Sequence, residues 1–458
     1  MSLTHPPGVN SGYLETIRAF LSGVEFDMLS FALDSQKTYG DFSFSRFGWI
    51  SFYTLTDPEL AHEILVNQAN NFYKLKLIKY ALGPFLGNGL LTSEGDFWKR
   101  QRKLSQPAFH TRRIENYAET MVDFARRMVA DWKSGEKRFI DREMMKITLK
   151  IVAKTLFDAD VSDDADRVGV LLTHILEASN ERINAPFPWP EWLPSAKRDQ
   201  MRRDVAELDA ILQRFIDERR RSSEDRGDLL SMLLAAQDDD GSGMTDKQLR
   251  DELMTIFLAG HETTAMNLTW TWYLLSQHPQ VVARLKEEVD TVLGERPATM
   301  ADLAHLPYTE MVMKEALRLY PPAPSVGREP IEDVQVGGYT IPKGAIVNIS
   351  IYAMHRNPAY FPDAETFDPE RFSPEREKAI PRFAYLPFGA GPRICIGNSF
   401  AQMEARLILA TMIQHVDLAL LPGQEIVPRQ LVTVRPRNGI EMAVTRREPR
   451  PERMLETA

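Results

Sequence analysis

The chain has 458 residues, 43% of them apolar and 26% charged, which fits a globular protein with a large core. A net charge of −9 argues against non-specific nucleic-acid binding, and a single cysteine excludes an internal disulfide. The N-terminus has neither the basic start nor the apolar run of a signal peptide, and no uninterrupted run of about 18 apolar residues offers a membrane span, so a cytoplasmic protein without a membrane anchor is expected.

In chain order, TDPELAHEILVNQA at 56–69 and IENYAETMVDFARRMVADW at 114–132 carry apolar residues at helical spacing. APFPWPEWLP at 185–194 reads as a surface loop, in which Trp189 and Trp192 fit either packing or an apolar lip at a substrate entrance. The QDDDGSGM loop has Asp238 and Asp240 before Gly241, but Ala236 and Lys247 stand where a calcium loop needs its first and last ligands. It is a solvated turn. Thr245 and Gln248 have capping-box spacing, and the helical pattern then runs to Gln277 before His278-Pro279. At about 1.5 Å per residue that helix is roughly 50 Å long, and its second half is apolar on nearly all sides, so it crosses the interior.

Strand signals lie near 51, from 335 to 350 and from 431. The chain thus reads as mainly α with a small β region assembled from both ends. With no Gly-, Ser- or Pro-rich linker, residues 1–458 are expected to form one domain, and a monomer is expected.

His261-Glu262-Thr263-Thr264-Ala265 lacks the second histidine of the zinc motif H-E-x-x-H. What remains is unusual for a helix interior. Gly260 weakens it by about 1 kcal/mol relative to Ala. Glu262 is costly there unless paired or protonated, and threonines can bond back to carbonyls and bend the helix. Two readings stand side by side. One is a kinked core helix with Glu262 reaching the surface; the other is a local opening lined by a proton-accepting acid and an alcohol.

FGAGPRICIGNSF, residues 388–400, holds Cys395, the only cysteine. A lone thiol is usually a small buried hydrophobe. Here Gly389, Gly391 and Gly397 clear space around it, Arg393 adds a cation, and NSFAQMEARLILATMIQHV reads as the helix whose N-terminus stabilises a thiolate. A nucleophile would need a histidine base. One thiolate cannot build a zinc or iron–sulfur site, but it can be the single axial ligand of a heme.

The segment resembles the heme-binding signature F-x-x-G-x-R-x-C-x-G of the cytochrome P-450 heme-thiolate monooxygenases, through Phe388, Gly391, Arg393, Cys395 and Gly397. Other motifs follow in the family's order. Trp98 and Arg102 match W-x-x-x-R, Ala259 to Thr264 match the oxygen-activation motif, and Glu315 and Arg318 match E-x-x-R. Arg371, in Pro369-Glu370-Arg371-Phe372, supplies the arginine that joins that pair, and Arg328 stands where members place a propionate partner.

The resemblance implies the cytochrome P-450 fold, with the long central helix crossing over heme b and Cys395 as the iron ligand. It implies that Trp98, Arg102, Arg328 and Arg393 meet propionates, that Phe388 packs near the sulfur, and that Gly391 and Gly397 let the loop pass close beneath the porphyrin. Ala259 and Gly260 would loosen the helix where dioxygen fits, Glu262 and Thr263 would deliver protons, and Glu315, Arg318 and Arg371 would be structural.

The implied reaction inserts one oxygen atom from O2 into a hydrophobic molecule such as a fatty acid, terpenoid or steroid. Expected pocket segments are 80–90, 256–259, 324–326 and 432–434, and Lys74, Lys76 and Lys79 are candidate anchors for a substrate carboxylate. No reductase is seen in the chain, so a separate ferredoxin or flavodoxin with its NAD(P)H reductase is expected. The basic run from Trp98 to Arg113 is its expected docking site. Two rivals are a peroxide-driven peroxygenase or isomerase, whose members generally lose the acid–alcohol pair, and a non-enzymatic heme protein.

Overall fold

The computed structural model describes residues 5–11, 27–110, 115–158, 165–184, 195–222, 228–237 and 241–448. Trp189, Trp192, Asp238, Asp240, Arg112 and Arg113 lie outside the described residues. The longer helices in chain order are α1 (Met28–Tyr39), α2 (Lys76–Leu86), α3 (Gly95–Ser105), α4 (Ala118–Ala130), α5 (Ile140–Phe157) and α6 (Ala165–Asn184). They continue with α7 (Ala196–Ser222), α8 (Asp246–Gln277), α9 (Pro279–Leu293), α10 (Pro307–Leu319) and α11 (Asn398–His415).

Strands from both ends of the chain build the main sheet. It takes β1 (Gly8–Ser11), β2 (Phe42–Phe47), β3 (Ile50–Leu55) and β4 (Phe72–Lys74) from the N-terminal part. After β5 (Lys137–Phe139), which pairs elsewhere, β6 (Ser325–Pro330) and, beyond the small hairpin β7 (Val334–Val336) and β8 (Tyr339–Ile341), β9 (Ile346–Ser350) complete it in the order β1-β2-β3-β9-β6-β4. β10 (Val416–Leu420) and β13 (Glu441–Arg446) form a second sheet with β5, while β11 (Pro428–Gln430) and β12 (Val434–Pro436) form a separate hairpin. The last strand signal therefore starts at Val434. Residues 431–433 make a tight turn closed by the Leu431 N–H on the Thr433 carbonyl at 2.9 Å.

The long helix is bounded as its capping residues dictate. The Thr245 hydroxyl accepts from the Gln248 N–H at 3.3 Å, the Gln248 side chain accepts from the Thr245 N–H at 2.8 Å, and α8 stops before Pro279. Most of its residues from Leu249 to Leu275 are buried on every side. α8 is continuous through Gly260, whose bare Cα faces α5: a Cβ there would lie 3.1 Å from Val152 Cγ2. Gly260 thus serves close helix packing, which differs from the expected loosening of the helix.

Two other expectations change. The helix from 56 is short, Pro58–His62, and widens into a π turn at Glu63–Asn67. That turn brings the Leu65 carbonyl against Gly391, where a Cβ would be 1.9 Å from the oxygen and φ is +71°. Gly391 is therefore required by chain-to-chain contact in a left-handed conformation. The helix expected at 114–132 is a single 3-10 turn at Glu115–Tyr117 followed by α4.

Glu315 and Arg318, both fully buried on α10, form a two-point ion pair at 2.7 and 2.8 Å, and Arg371 Nε joins at 3.3 Å. Arg318 also donates to the carbonyls of His355 and Ala364 at 2.8 and 2.7 Å. Burial, then Arg318, pushes His355 down to about 3, so the ring is neutral. Its Nδ1–H therefore donates to the Arg318 carbonyl, and its Nε2 accepts the Leu386 N–H at 3.0 Å. Leu386 opens the segment that carries Cys395, so the buried ion pair holds that loop through one imidazole.

Candidate active site

Cys395 sits in the loop before α11. Its N–H donates to the Phe388 carbonyl at 3.0 Å, closing the loop on itself. Gly397 is the N-cap of α11. Burial pushes the thiol up, opposed by a hydrogen bond from the Gly397 N–H and by the Arg102 cation. The residue is enclosed by protein, yet its side chain carries open surface. Both hold if the sulfur faces an internal space rather than solvent.

The middle of α8 has the same property. Ala259 is exposed and Thr263 half-buried, although the residues around them on the helix are buried. They are four apart, so they share one face, and the Thr263 hydroxyl donates to the Ala259 carbonyl at 2.7 Å. Glu262 points elsewhere, one residue or about 100° around the helix. It is 2% exposed, and Arg435 Nε donates to its Oε1 at 3.0 Å. The Thr433 hydroxyl donates to the same oxygen. The side chain of Glu262 therefore does not reach the surface.

A third group gathers where α3, β4, β6 and the cysteine loop meet. Arg393 donates to the carbonyls of Ala69 and Phe72 at 2.8 and 3.0 Å and pairs with Glu94 at 3.0 Å. Its Nε is buried without a partner. Lys74 donates to the carbonyls of Leu90 and Ser93 at 2.7 and 2.8 Å. Both cations lie over the Trp98 ring, at 5.3 and 5.5 Å from its centroid. Arg328, 7% exposed, is pushed down to about 10 by burial and by Arg393. Lys74 is pushed down to about 7, chiefly by burial, with Arg393 and Arg328 adding to it and Glu94 opposing.

Arg328 and Arg393, with Lys74 whose charge burial weakens, thus gather around Glu94, and Glu252 acts on Lys74 as well. An anionic partner offsets this positive group, and the orphaned Arg393 Nε offers it a donor. The two propionates of heme b fit that requirement, and the open thiol of Cys395 fits its iron.

Arg102 stands apart from this group. It donates to the Ile394 carbonyl at 2.8 Å, on the cysteine loop, and does not enter the cluster around Trp98. With Trp98, Lys99, Lys103, Gln106, Pro107, His110 and Pro392 it lines an open cleft of about 400 Å³. Lys76 pairs with Glu329 at the surface, and Lys79 is exposed.

The sequence singled out Trp98, Arg328, Arg393 and Cys395, which the fold gathers around the cysteine loop. It named Lys74 only as a candidate substrate anchor and Thr433 only within a pocket segment, and it missed Glu94 and Arg435. The available signal for Thr433 and Arg435 was the buried Glu262 itself, which needs such a partner. Glu94 carries no such mark.

Among the described residues no helix is long and apolar enough to cross a membrane. The family model for cytochrome P-450 matches residues 16–443. Cyclooctatin synthase of Streptomyces melanosporofaciens is 40% identical over 400 residues, 87% of either chain. Pentalenene oxygenase of Streptomyces avermitilis is 35% identical over 418 residues, 91% of this chain and 93% of its own. A cyanobacterial cytochrome P-450 solved with retinoic acid bound superposes with a TM-score of 0.85 at 27% identity, covering 97% of this chain and 100% of that one. The chain belongs to the cytochrome P-450 family and is a heme-thiolate monooxygenase that uses O2, a substrate and electrons from a redox partner.

Proposed function

We propose that the whole chain, 1–458, forms one monomeric cytoplasmic domain that hydroxylates a neutral terpenoid. The carrying observation is the place of Lys74. It is the half-buried member of the three lysines named as anchors for a substrate carboxylate, and it spends its donors on Leu90 and Ser93 within the cationic cluster. Lys76 is paired and Lys79 is exposed. With none of these three lysines placed to meet a substrate carboxylate, a hydrocarbon skeleton is favoured over a fatty acid. The terpenoid names of two relatives in Streptomyces support the same reading.

In this reading Cys395 holds the iron, helped by the Gly397 N–H. Trp98, Lys74, Arg328 and Arg393 bind the propionates, and Phe388 packs beside the sulfur. Arg102 steadies the loop at Ile394. The heme, when bound, supplies the iron that binds dioxygen and drives its reductive cleavage. Ala259 leaves room on the open face of α8, Gly260 lets α5 pack behind it, and the Thr263 hydroxyl presents its proton there on turning from the Ala259 carbonyl. Glu262 resupplies Thr263, which is general-acid work in a site shielded from bulk water.

The electrons come from a ferredoxin or flavodoxin served by an NAD(P)H reductase. The cleft lined by Lys99, Arg102, Lys103 and His110 is positive on an otherwise acidic protein, and it borders the cysteine loop at Pro392. An acidic partner is steered to it, so its association slows as salt rises.

Spectral titration tests the substrate reading. Cyclic sesquiterpene and diterpene hydrocarbons should displace water from the iron and shift its spin state at micromolar concentration, and they should be hydroxylated. Tight binding and turnover of lauric or palmitic acid, with no response to the terpenes, contradicts it.

A further inference from the structure

Lys74 enters the cationic cluster from β4, but the loop at 87–93 sets where its charge stands. Its backbone N–H donates to Glu94 Oε1 at 2.6 Å, and its ammonium donates to the carbonyls of Leu90 and Ser93 at 2.7 and 2.8 Å. An ammonium has three N–H donors, and these carbonyls take two of them. The direction of the third follows from where Leu90 and Ser93 are held.

That loop is a compact unit. The Thr92 hydroxyl donates to the Gly87 carbonyl at 2.8 Å, and the N–H groups of Thr92 and Ser93 share the Gly89 carbonyl at 3.0 and 2.9 Å. It lies flat against the first half of α8. A Cβ on Gly87 would be 2.1 Å from Asp251 Oδ1, and one on Gly89 would be 2.1 Å from Thr255 Oγ1. Two successive acids of α8 grip it there. Asp251 Oδ2 accepts the Asn88 N–H at 2.8 Å, and Glu252 Oε2 accepts the Leu90 N–H at 3.0 Å.

The two acids are not equivalent. Asp251 pairs with Lys247 at 2.8 Å and Arg250 at 3.1 Å on its own helix. Glu252 is 0% exposed, and its Oε1 is buried without a partner. Against the cost of burying that carboxyl stand the Leu90 N–H and the charge of Lys74. Leu90 is therefore held from both sides, by Glu252 on its N–H and by Lys74 on its carbonyl.

We propose that Glu252 is a positioning residue for the cofactor: through Leu90 it fixes the loop that aims the Lys74 ammonium at a heme propionate. This rests on the reading of Lys74 as a propionate partner. The coupling runs in both directions, so a propionate that holds Lys74 also holds the loop on α8.

The test uses heme-loaded wild type, Glu252→Leu, Glu252→Gln, Gly89→Ala and Lys74→Met proteins. Each is measured for amide hydrogen exchange at 86–93, for the propionate bending bands in its resonance Raman spectrum and for the rate of heme transfer to apomyoglobin. Lys74→Met gives the bands of a heme without that ammonium, and it should also quicken exchange at 86–93. Glu252→Leu should quicken exchange at 86–93 and heme transfer roughly fivefold each, the worth of about one hydrogen bond, and shift the propionate bands toward those of Lys74→Met. Glu252→Gln keeps an acceptor oxygen for Leu90 and should return all three toward wild type. A merely structural role for Glu252 would not move the propionate bands.

If Glu252→Leu keeps wild-type propionate bands and heme transfer while Lys74→Met alters both, the positioning role is overturned and the propionate reading of Lys74 survives. If Lys74→Met itself leaves both unchanged, that reading fails and takes this inference with it. Should Glu252→Leu not fold, Gly89→Ala decides the matter, because a methyl group there pushes the loop off Thr255 and must move the same bands.

Discussion

Arg393 pairs with Glu94 at 3.0 Å, and among the described residues this ion pair leaves Arg328 without a carboxylate of its own close by, while Lys74 feels both Glu94 and Glu252. The protein therefore carries unbalanced positive charge next to the cysteine loop. Arg328→Leu should accelerate heme transfer to apomyoglobin roughly ten- to a hundredfold, the consequence of losing one charge-assisted bond of about 1.5–3 kcal/mol. The urea midpoint of the heme-free variant should not fall, because removing Arg328 also relieves its repulsion by Arg393. Unchanged heme loss would remove the propionate assignment.

Glu252 of α8 gives a pH signature. Its carboxyl is pushed up to about 7 by burial, opposed by the Leu90 N–H bonded to it at 3.0 Å, raised further by Asp251 and lowered by Lys74. The folded state thus binds a proton more tightly than the unfolded chain. That contribution is complete below the ordinary carboxylate range and is lost as pH rises to about 7. Wild type should lose stability relative to Glu252→Gln across that window, seen as urea midpoints that diverge with rising pH. Parallel profiles would show that Glu252 titrates normally.

Much of this fold could be read from the chain because its signals are local. Thr245 and Gln248 cap α8, Pro279 ends it, and an apolar run in between buries it. The site was legible where spacing carries the chemistry, as in Phe388 to Gly397. It was not legible where partners meet across long separations. Glu94 and Arg393 are 299 residues apart, and Glu262 and Arg435 are 173 apart. The packing roles of two glycines were hidden for the same reason. Gly391 and Gly260 each face a neighbouring segment, Leu65 and Val152, that sequence spacing does not reveal.

The Glu315–Arg318–Arg371 group predicts a large stability effect. Both Glu315 and Arg318 are 0% exposed, so Glu315→Gln strands two buried guanidinium groups. The expected loss is about 3–5 kcal/mol, with a matching fall in the urea midpoint. Because His355 links Arg318 to Leu386, heme content should fall as well. A stable, fully loaded variant would refute the link.

Gly391→Ala tests the contact between the cysteine loop and the π turn. The left-handed backbone alone costs about 1–2 kcal/mol for a residue with a Cβ, and the methyl group must also displace the Leu65 carbonyl. Purified protein should contain much less heme than wild type at similar helix content by circular dichroism. Equal heme content would mean that the loop accommodates a side chain there.

The most direct measurement is the absorbance spectrum of the dithionite-reduced protein with carbon monoxide, beside a Cys395→Ser variant. Thiolate ligation by Cys395 predicts a strongly red-shifted Soret band, lost in the variant. No heme, or the band of a histidine-ligated heme in both proteins, would contradict it.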